Sequence, residues 1–209
     1  VHEKEKYLKL DKEYEGEILF GFTTDTYDIL GLPKKERPLS LTSRLRLDGI
    51  FKILEGDISL PLPPYSSYKI KGKPLFQWAR EGKLDEVEIP MRQTKINSAE
   101  LLGFYEISGQ ELLEIIEQKI NLTQGDFRQK EILNRWQKML PLPSDRCFAG
   151  TFENRKKYQI AKIKIACSSG TYIRSIAYQL GKKLKTGAVL LSLTRTKVGN
   201  FEIKDSLLI

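Results

Sequence analysis

Apolar and polar residues alternate along "YEGEILFGF" (14–22), which predicts a half-buried strand with Ile18, Phe20 and Phe22 on one face. "TTDTYDILG" follows, dense in Thr and Asp and ending at Gly31, which is loop chemistry. A short helix is predicted around Leu45 to Leu54. Pro61, Pro63 and Pro64 then exclude a regular helix or central strand. "KIKGK" predicts a tight turn at Gly72, and "PLFQWAREG" a short helix with Pro74 in its first turn and Gly82 at its end. Strand-like segments come next, near 87–97 and 99–107. Ser108 and Glu111 have capping-box spacing and open a helix whose apolar stripe is Leu112, Leu113, Ile115, Ile116 and Ile120.

From 121 to 157 the chain turns polar, anchored by Trp136 and "LPLP" at 140–143, and reads as an insertion or lid. "KYQIAKIKIACSS" (157–169) predicts a strand with Ile163, Ile165 and Cys167 on one face and Lys162 and Lys164 on the other. A turn at Gly170 leads into a helix with Ile173, Ile176, Ala177, Leu180 and Leu184 at helical spacing and Gly187 past its end. A last strand, 188–203, is expected to place Leu191, Leu193, Arg195 and Lys197 on one face. Strands interspersed with helices predict an α+β fold with a mixed, mostly antiparallel sheet flanked by helices.

Composition narrows the chemistry. The 209 residues are 40% hydrophobic, enough for a sizeable core. No apolar run approaches the ~20 residues of a membrane-spanning helix, and "VHEKEKYLKL" is no signal peptide, so a cytoplasmic protein is expected. One histidine, His2, leaves little material for histidine catalysis or zinc. Cys147 and Cys167 are too far apart for a CxxC site, so no metal is expected. The formal charge of +8 suits a polyanion, with nucleic acid the usual partner.

"SSGTYIR" puts Arg174 in the first turn of a helix beside Tyr172. A helix N-terminus and a guanidinium together favour an anion, either a phosphate or a carboxylate held ionised. The residues alone leave open a third possibility, an arginine that is merely solvated.

Three ordered segments go further. "KEYEGEILFGFTTDTYDILG" resembles a K-x-Y strand followed by G-x-x-T-D-T-x-D-x-x-G. "PPYSSYKIKGKPLFQWAREG" resembles P-P-x-Y-S-A-x-K-x-x-G-x-x-x-Y-x-x-A-R-x-G. "SSGTYIRSIAYQLGKKLKTGAVLLSLTRTKVGNF" resembles G-T-Y-I-R, then L-G…G-A and L-x-R-T-x-V-G-x-F. Together they resemble the TruB family of tRNA pseudouridine synthases, bacterial branch.

The resemblance implies a pseudouridine synthase-like catalytic domain over 1–209 that isomerises a uridine, position 55 of the T-arm stem-loop of tRNA, without metal or organic cofactor and as a monomer. It implies Arg174 as the partner of the catalytic carboxylate and Tyr14 as the tyrosine that stacks on the flipped base and handles the C5 proton. Tyr172 and Leu193 would line the base pocket, and Asp25 matches an acidic position near it. Lys69, Lys71 and Lys73, interleaved with Tyr65 and Tyr68, and Arg195 and Lys197 would contact RNA phosphates.

The departures are specific. The family's nucleophilic aspartate sits in G-x-L-D-x-x-A-T-G-x-L, and the residues before Tyr14 contain Asp11 but no such motif. The expectation is therefore a domain lacking its N-terminal part and, past "VGNFEIKDSLLI", the C-terminal RNA-binding domain of many members. Val189, Ser67 and Phe76 replace the family's usual histidine, alanine and tyrosine, and 121–157 runs longer than its counterpart. Without a nucleophile in the chain, the alternatives are a non-catalytic RNA-binding or chaperone module and a basic scaffold with no RNA partner.

Overall fold

The computed structural model describes residues 4–40, 47–140 and 157–205. His2, Cys147, the first residues of the expected 45–54 helix and residues 141–156 of the expected lid lie outside the described residues.

Six strands form one antiparallel sheet. They are β1 (Lys12–Phe20), β4 (Gly56–Pro61), β7 (Met91–Ser108), β8 (Lys157–Cys167), β9 (Ala188–Val198) and β10 (Phe201–Glu202), in the order β10-β9-β1-β8-β7-β4. Two small ladders lie outside it: β2 (Phe22–Thr24) with β3 (Pro33–Lys35), and β5 (Lys69–Ile70) with β6 (Lys73–Pro74). Among the described residues six α-helices accompany them: α1 (Lys4–Leu8), α2 (Leu47–Ile53), α3 (Leu75–Arg80), α4 (Gly109–Leu122), α5 (Gln129–Met139) and α6 (Ile173–Lys183). The α+β class follows directly.

Both sheet faces are covered. On one, Ile18, Phe20, Ile163 and Ile165 pack with Phe51 of α2 and Ile176 and Leu180 of α6. On the other, Leu19, Ile160, Val189 and Leu191 pack with Leu112 and Ile116 of α4 and Ile132 and Trp136 of α5. The side-chain period of two in a strand sends Ile18 and Leu19 into opposite cores. The predicted capping box is present: Glu111 N donates to Ser108 Oγ at 3.2 Å and Ser108 N to Glu111 Oε2 at 2.7 Å.

Four local readings are corrected. Phe22 does not share a face with Ile18 and Phe20; it joins the opposite core, 5.0 Å from Trp136 between ring centroids. Gly21, at φ +87°, ends β1 and resets the alternation in a conformation costly for any other residue. The two segments expected at 87–97 and 99–107 are one strand, β7, in which irregularities at Ile96/Ser98 and Leu101/Gly103 absorb extra residues. The strand expected to run to 203 ends at Val198, and a turn at Gly199 returns the chain as β10.

The fourth correction concerns β9. Its pairing with β1 shifts between Glu17 and Ile18 and again between Glu13 and Tyr14, with Leu191 and Thr196 as the extra residues. Gly16 faces Leu193 and Tyr14 faces Arg195, whereas Lys197 pairs with Glu13 on the other face. Leu193 and Arg195 therefore keep company with Tyr14, and Leu191 and Lys197 do not. Each bulge flips the alternation that a simple period-two reading assumes.

Candidate active site

The loop between β2 and β3 is built from its own short polar side chains. Thr26 Oγ1 donates to Asp28 Oδ1 at 2.6 Å, Leu30 N donates to the same oxygen at 3.0 Å, and Leu32 N donates to Asp25 Oδ1 at 2.8 Å. These are the local side-chain bonds that make Thr and Asp loop formers. Gly31 is required by close approach: a Cβ there would lie 2.4 Å from both Asp25 Oδ1 and Thr26 Oγ1. The loop docks on the edge of β9 through Ile29 N to Leu190 O at 3.1 Å and Leu190 N to Tyr27 O at 3.0 Å. Tyr27 stacks on Tyr178 of α6 with centroids 4.0 Å apart.

This loop presents Asp28 to α6. Arg174 Nη1 donates to Asp28 Oδ2 and to the Thr26 carbonyl, each at 3.1 Å, and Nη2 donates to the Tyr65 carbonyl at 3.3 Å. The anion expected at Arg174 is thus a carboxylate of the same chain. Both oxygens of Asp28 accept hydrogen bonds, Oδ2 from Arg174 and Oδ1 from Thr26 and Leu30. The Nε–H of Arg174 and its second Nη2 hydrogen carry no hydrogen bond among the described residues.

Arg174 borders a cleft of about 450 Å³ between the site loop, residues 65–80 and the α4–α5 hairpin. A second ion pair stands at its side: Arg128 Nη2 lies 2.9 Å from Asp25 Oδ2, and the guanidinium covers the Tyr65 ring at 4.8 Å. Burial raises the Tyr65 phenol above its ordinary value, and the neighbouring Asp25 charge raises it further. Arg128 is 103 residues from Asp25, and nothing in the local sequence announces the pairing. Asp28 did carry a signal, as the second aspartate of "TDTYD", which sequence reasoning passed over for Asp25.

The other expected residues lie elsewhere. Tyr14, on β1, is half-buried against the first core; burial raises its phenol, an effect reinforced by Cys167 and opposed by the Arg195 guanidinium. Leu193, 42% exposed, shares its sheet face. Tyr172 caps α6 and packs on the small cluster of Leu62, Leu75 and Val87. The cleft lining includes none of these three. Lys69 and Lys71 are exposed around the Gly72 turn, whereas Lys73 pairs with Glu81 and lies 4.4 Å from the Trp78 centroid. Arg195 and Lys197 border a shallow groove of about 290 Å³ with Phe201, and Lys197 is 3.8 Å from Glu202. Two clusters result, one around Arg174 and one around Tyr14.

Comparison with known proteins agrees with the motifs. A family model described as TruB family pseudouridylate synthase (N terminal domain) matches residues 3–125. The chain is 32% identical over 195 residues to a tRNA pseudouridine synthase B of Carboxydothermus hydrogenoformans, covering 93% of this chain and 50% of that protein. It is 31% identical to that of Clostridium tetani over 94% of this chain and 49% of the other, and 30% identical to that of Endomicrobium trichonymphae over 97% and 64%. The chain spans about half the length of most of these relatives. With more than half of its residues matched by the family model and its site loop and Arg174 turn carrying the family's motifs, the chain belongs to the TruB family of pseudouridylate synthases.

Proposed function

We propose that the protein works as a tRNA pseudouridine synthase on a uridine of the T-arm stem-loop, position 55, met in the cytoplasm by a single copy. The observation that carries this reading is the Arg174 guanidinium, fixed by Asp28 and two carbonyls with further N–H groups left over. Those groups suit a carboxylate nucleophile of the family's G-x-L-D type, held ionised and aimed at neutral pH. Asp28, hydrogen-bonded at both oxygens, is read as the group that fixes the guanidinium rather than as the nucleophile.

In the reaction the carboxylate attacks C1′ as the N1–C1′ bond breaks, and the detached base turns and rejoins C1′ through C5, releasing the carboxylate. The C5 proton leaves and N1 gains one, so the net change is an isomerisation. The base must first leave its stack. Tyr14 is proposed to stack on it and to handle the C5 proton. Leu193, exposed on the same face, and Tyr172 provide apolar contact, and Asp25 braces the loop. Lys69, Lys71, Lys73, Arg195 and Lys197 are proposed phosphate contacts.

The test is to express the protein from its complete reading frame and assay pseudouridine in a T-arm stem-loop transcript. Modification by the wild type and its loss in Arg174→Lys, which keeps the charge but not the fork, supports the reading. A folded wild-type protein that binds this RNA and leaves every uridine unchanged refutes it.

A further inference from the structure

The cleft beside Arg174 has a composition that the reaction does not use. Its charged walls are already neutralised, Arg174 by Asp28 and Arg128 by Asp25. The rest of its lining mixes apolar and aromatic side chains, Ile120 and Ile132 from the helical hairpin with Tyr65, Phe76 and Phe127, and polar ones such as Ser66, Ser67 and Gln129. Arg80 differs from the other two arginines. Its guanidinium lies 5.7 Å from the Phe76 centroid and 5.9 Å from that of Phe127, and Nη2 donates to the Asp126 carbonyl at 3.3 Å. Among the described residues, no carboxylate lies within ion-pair distance of it. A positive charge held in an aromatic fork, without an anion, invites a ligand that is both flat and negative.

We propose that this cleft receives an unpaired nucleotide of the bound RNA, distinct from the reacting uridine, with its base against Phe76, Phe127 and the Arg128-covered Tyr65 and its phosphate on Arg80. The inference rests on the RNA-modifying reading above. The cleft's ≈ 450 Å³ lies in the ~300–1,000 Å³ range of small-ligand pockets. Phe127 is 47% exposed at the cleft, as a stacking platform awaiting a base would be. The net charge of +8 favours a polyanion over a neutral aromatic metabolite.

The experiment measures tRNA binding by the whole protein as a function of salt, together with ultraviolet crosslinking and peptide mapping. Phe127→Ala is expected to weaken binding by about 5- to 150-fold, the range for losing one stacked base. Phe127→Leu should weaken it too, because it keeps the apolar bulk and loses the ring. Arg80→Gln should lower the slope of log K against log salt by about 0.7–0.9, and Arg80→Lys should restore it. Crosslinks should map to the peptide carrying Phe127 or to that carrying Tyr65. Folded variants that bind like the wild type at every salt, or crosslinks found only elsewhere, overturn the proposal. Saturable binding of uridine or adenosine monophosphate alone at the same residues, with no effect of the variants on tRNA, also overturns it. A wild type that forms pseudouridine while the variants bind unchanged removes this inference and leaves the function. Crosslinks in the cleft without any pseudouridine do the reverse.

Discussion

The indole N–H of Trp136 donates to the carbonyl oxygen of Ile29 at 3.0 Å, across 107 residues of chain. Trp136 is fully buried on α5, and Ile29 belongs to the loop that holds Asp28 against Arg174. The helical hairpin therefore braces the site loop from behind. Trp136→Ala is expected to cost about 3–5 kcal/mol, from a lost aromatic side chain and the cavity it leaves. Trp136→Phe keeps most of the bulk and strands the Ile29 carbonyl, which should cost about 1–3 kcal/mol. Urea unfolding monitored by circular dichroism measures both, and a Phe variant as stable as the wild type would show that the bond contributes nothing.

The Asp28–Arg174 pair is mostly shielded, with side-chain exposures of 19% and 24%. Asp28→Asn keeps the shape and removes the charge, leaving the guanidinium held only by neutral acceptors such as the Thr26 and Tyr65 carbonyls. The expected outcome is a fall in kcat/KM for pseudouridine formation on the order of 100-fold, as for a misplaced reacting group. Global stability should fall by about 1–3 kcal/mol. Steady-state kinetics beside a denaturation curve separates the two effects.

Tyr65 offers a pH signature. Its phenol is raised above the ordinary 10.0, first by burial and then by the charge of Asp25. A raised folded-state value means that the protonated phenol stabilises the fold. That contribution is complete below pH 10.0 and fades as pH climbs through the raised value. Asp25→Asn removes the negative neighbour and leaves the burial and the Arg128 and Arg80 charges, so the titration should move down. Absorbance at the phenolate band, with Tyr65→Phe to assign the transition, reads the shift; an upward move in Asp25→Asn would contradict the pairing.

The lysines of the β5–β6 hairpin should not contribute equally to RNA binding. Lys73 is already matched by Glu81, whereas Lys69 and Lys71 are exposed at the turn. Each phosphate contact adds about 0.7–0.9 to the salt slope of binding. Lys69→Gln and Lys71→Gln are expected to lower that slope by such an amount, and Lys73→Gln by less. Filter binding across a salt series is sufficient, and equal effects at all three positions would rule out the shielding of Lys73.

Much of the fold was legible because its causes are local. The alternation of "KYQIAKIKIAC" put Ile163, Ile165 and Cys167 in the core, and the helical spacing after Gly170 did the same for Ile176 and Leu180. The Ser108 capping box closed as its spacing required. Period and cap depend on neighbours within a turn or two, so the chain itself carries them. The readings that failed did so at phase changes. Gly21 and the bulges at Leu191 and Thr196 move a side chain to the opposite face without altering residue type, so composition gives no warning.

The sequence by itself determined the α+β class and the family motifs and singled out Arg174, because each is written in short-range pattern. Only the tertiary structure decided that Arg174 is held by Asp28, that Asp25 is paired with Arg128, and that the helical hairpin walls the cleft beside them. Those pairings join segments 103 and 146 residues apart. Their energy lies in complementary charges brought together by the docking of a loop on the edge of β9, and that docking is a property of the packed whole.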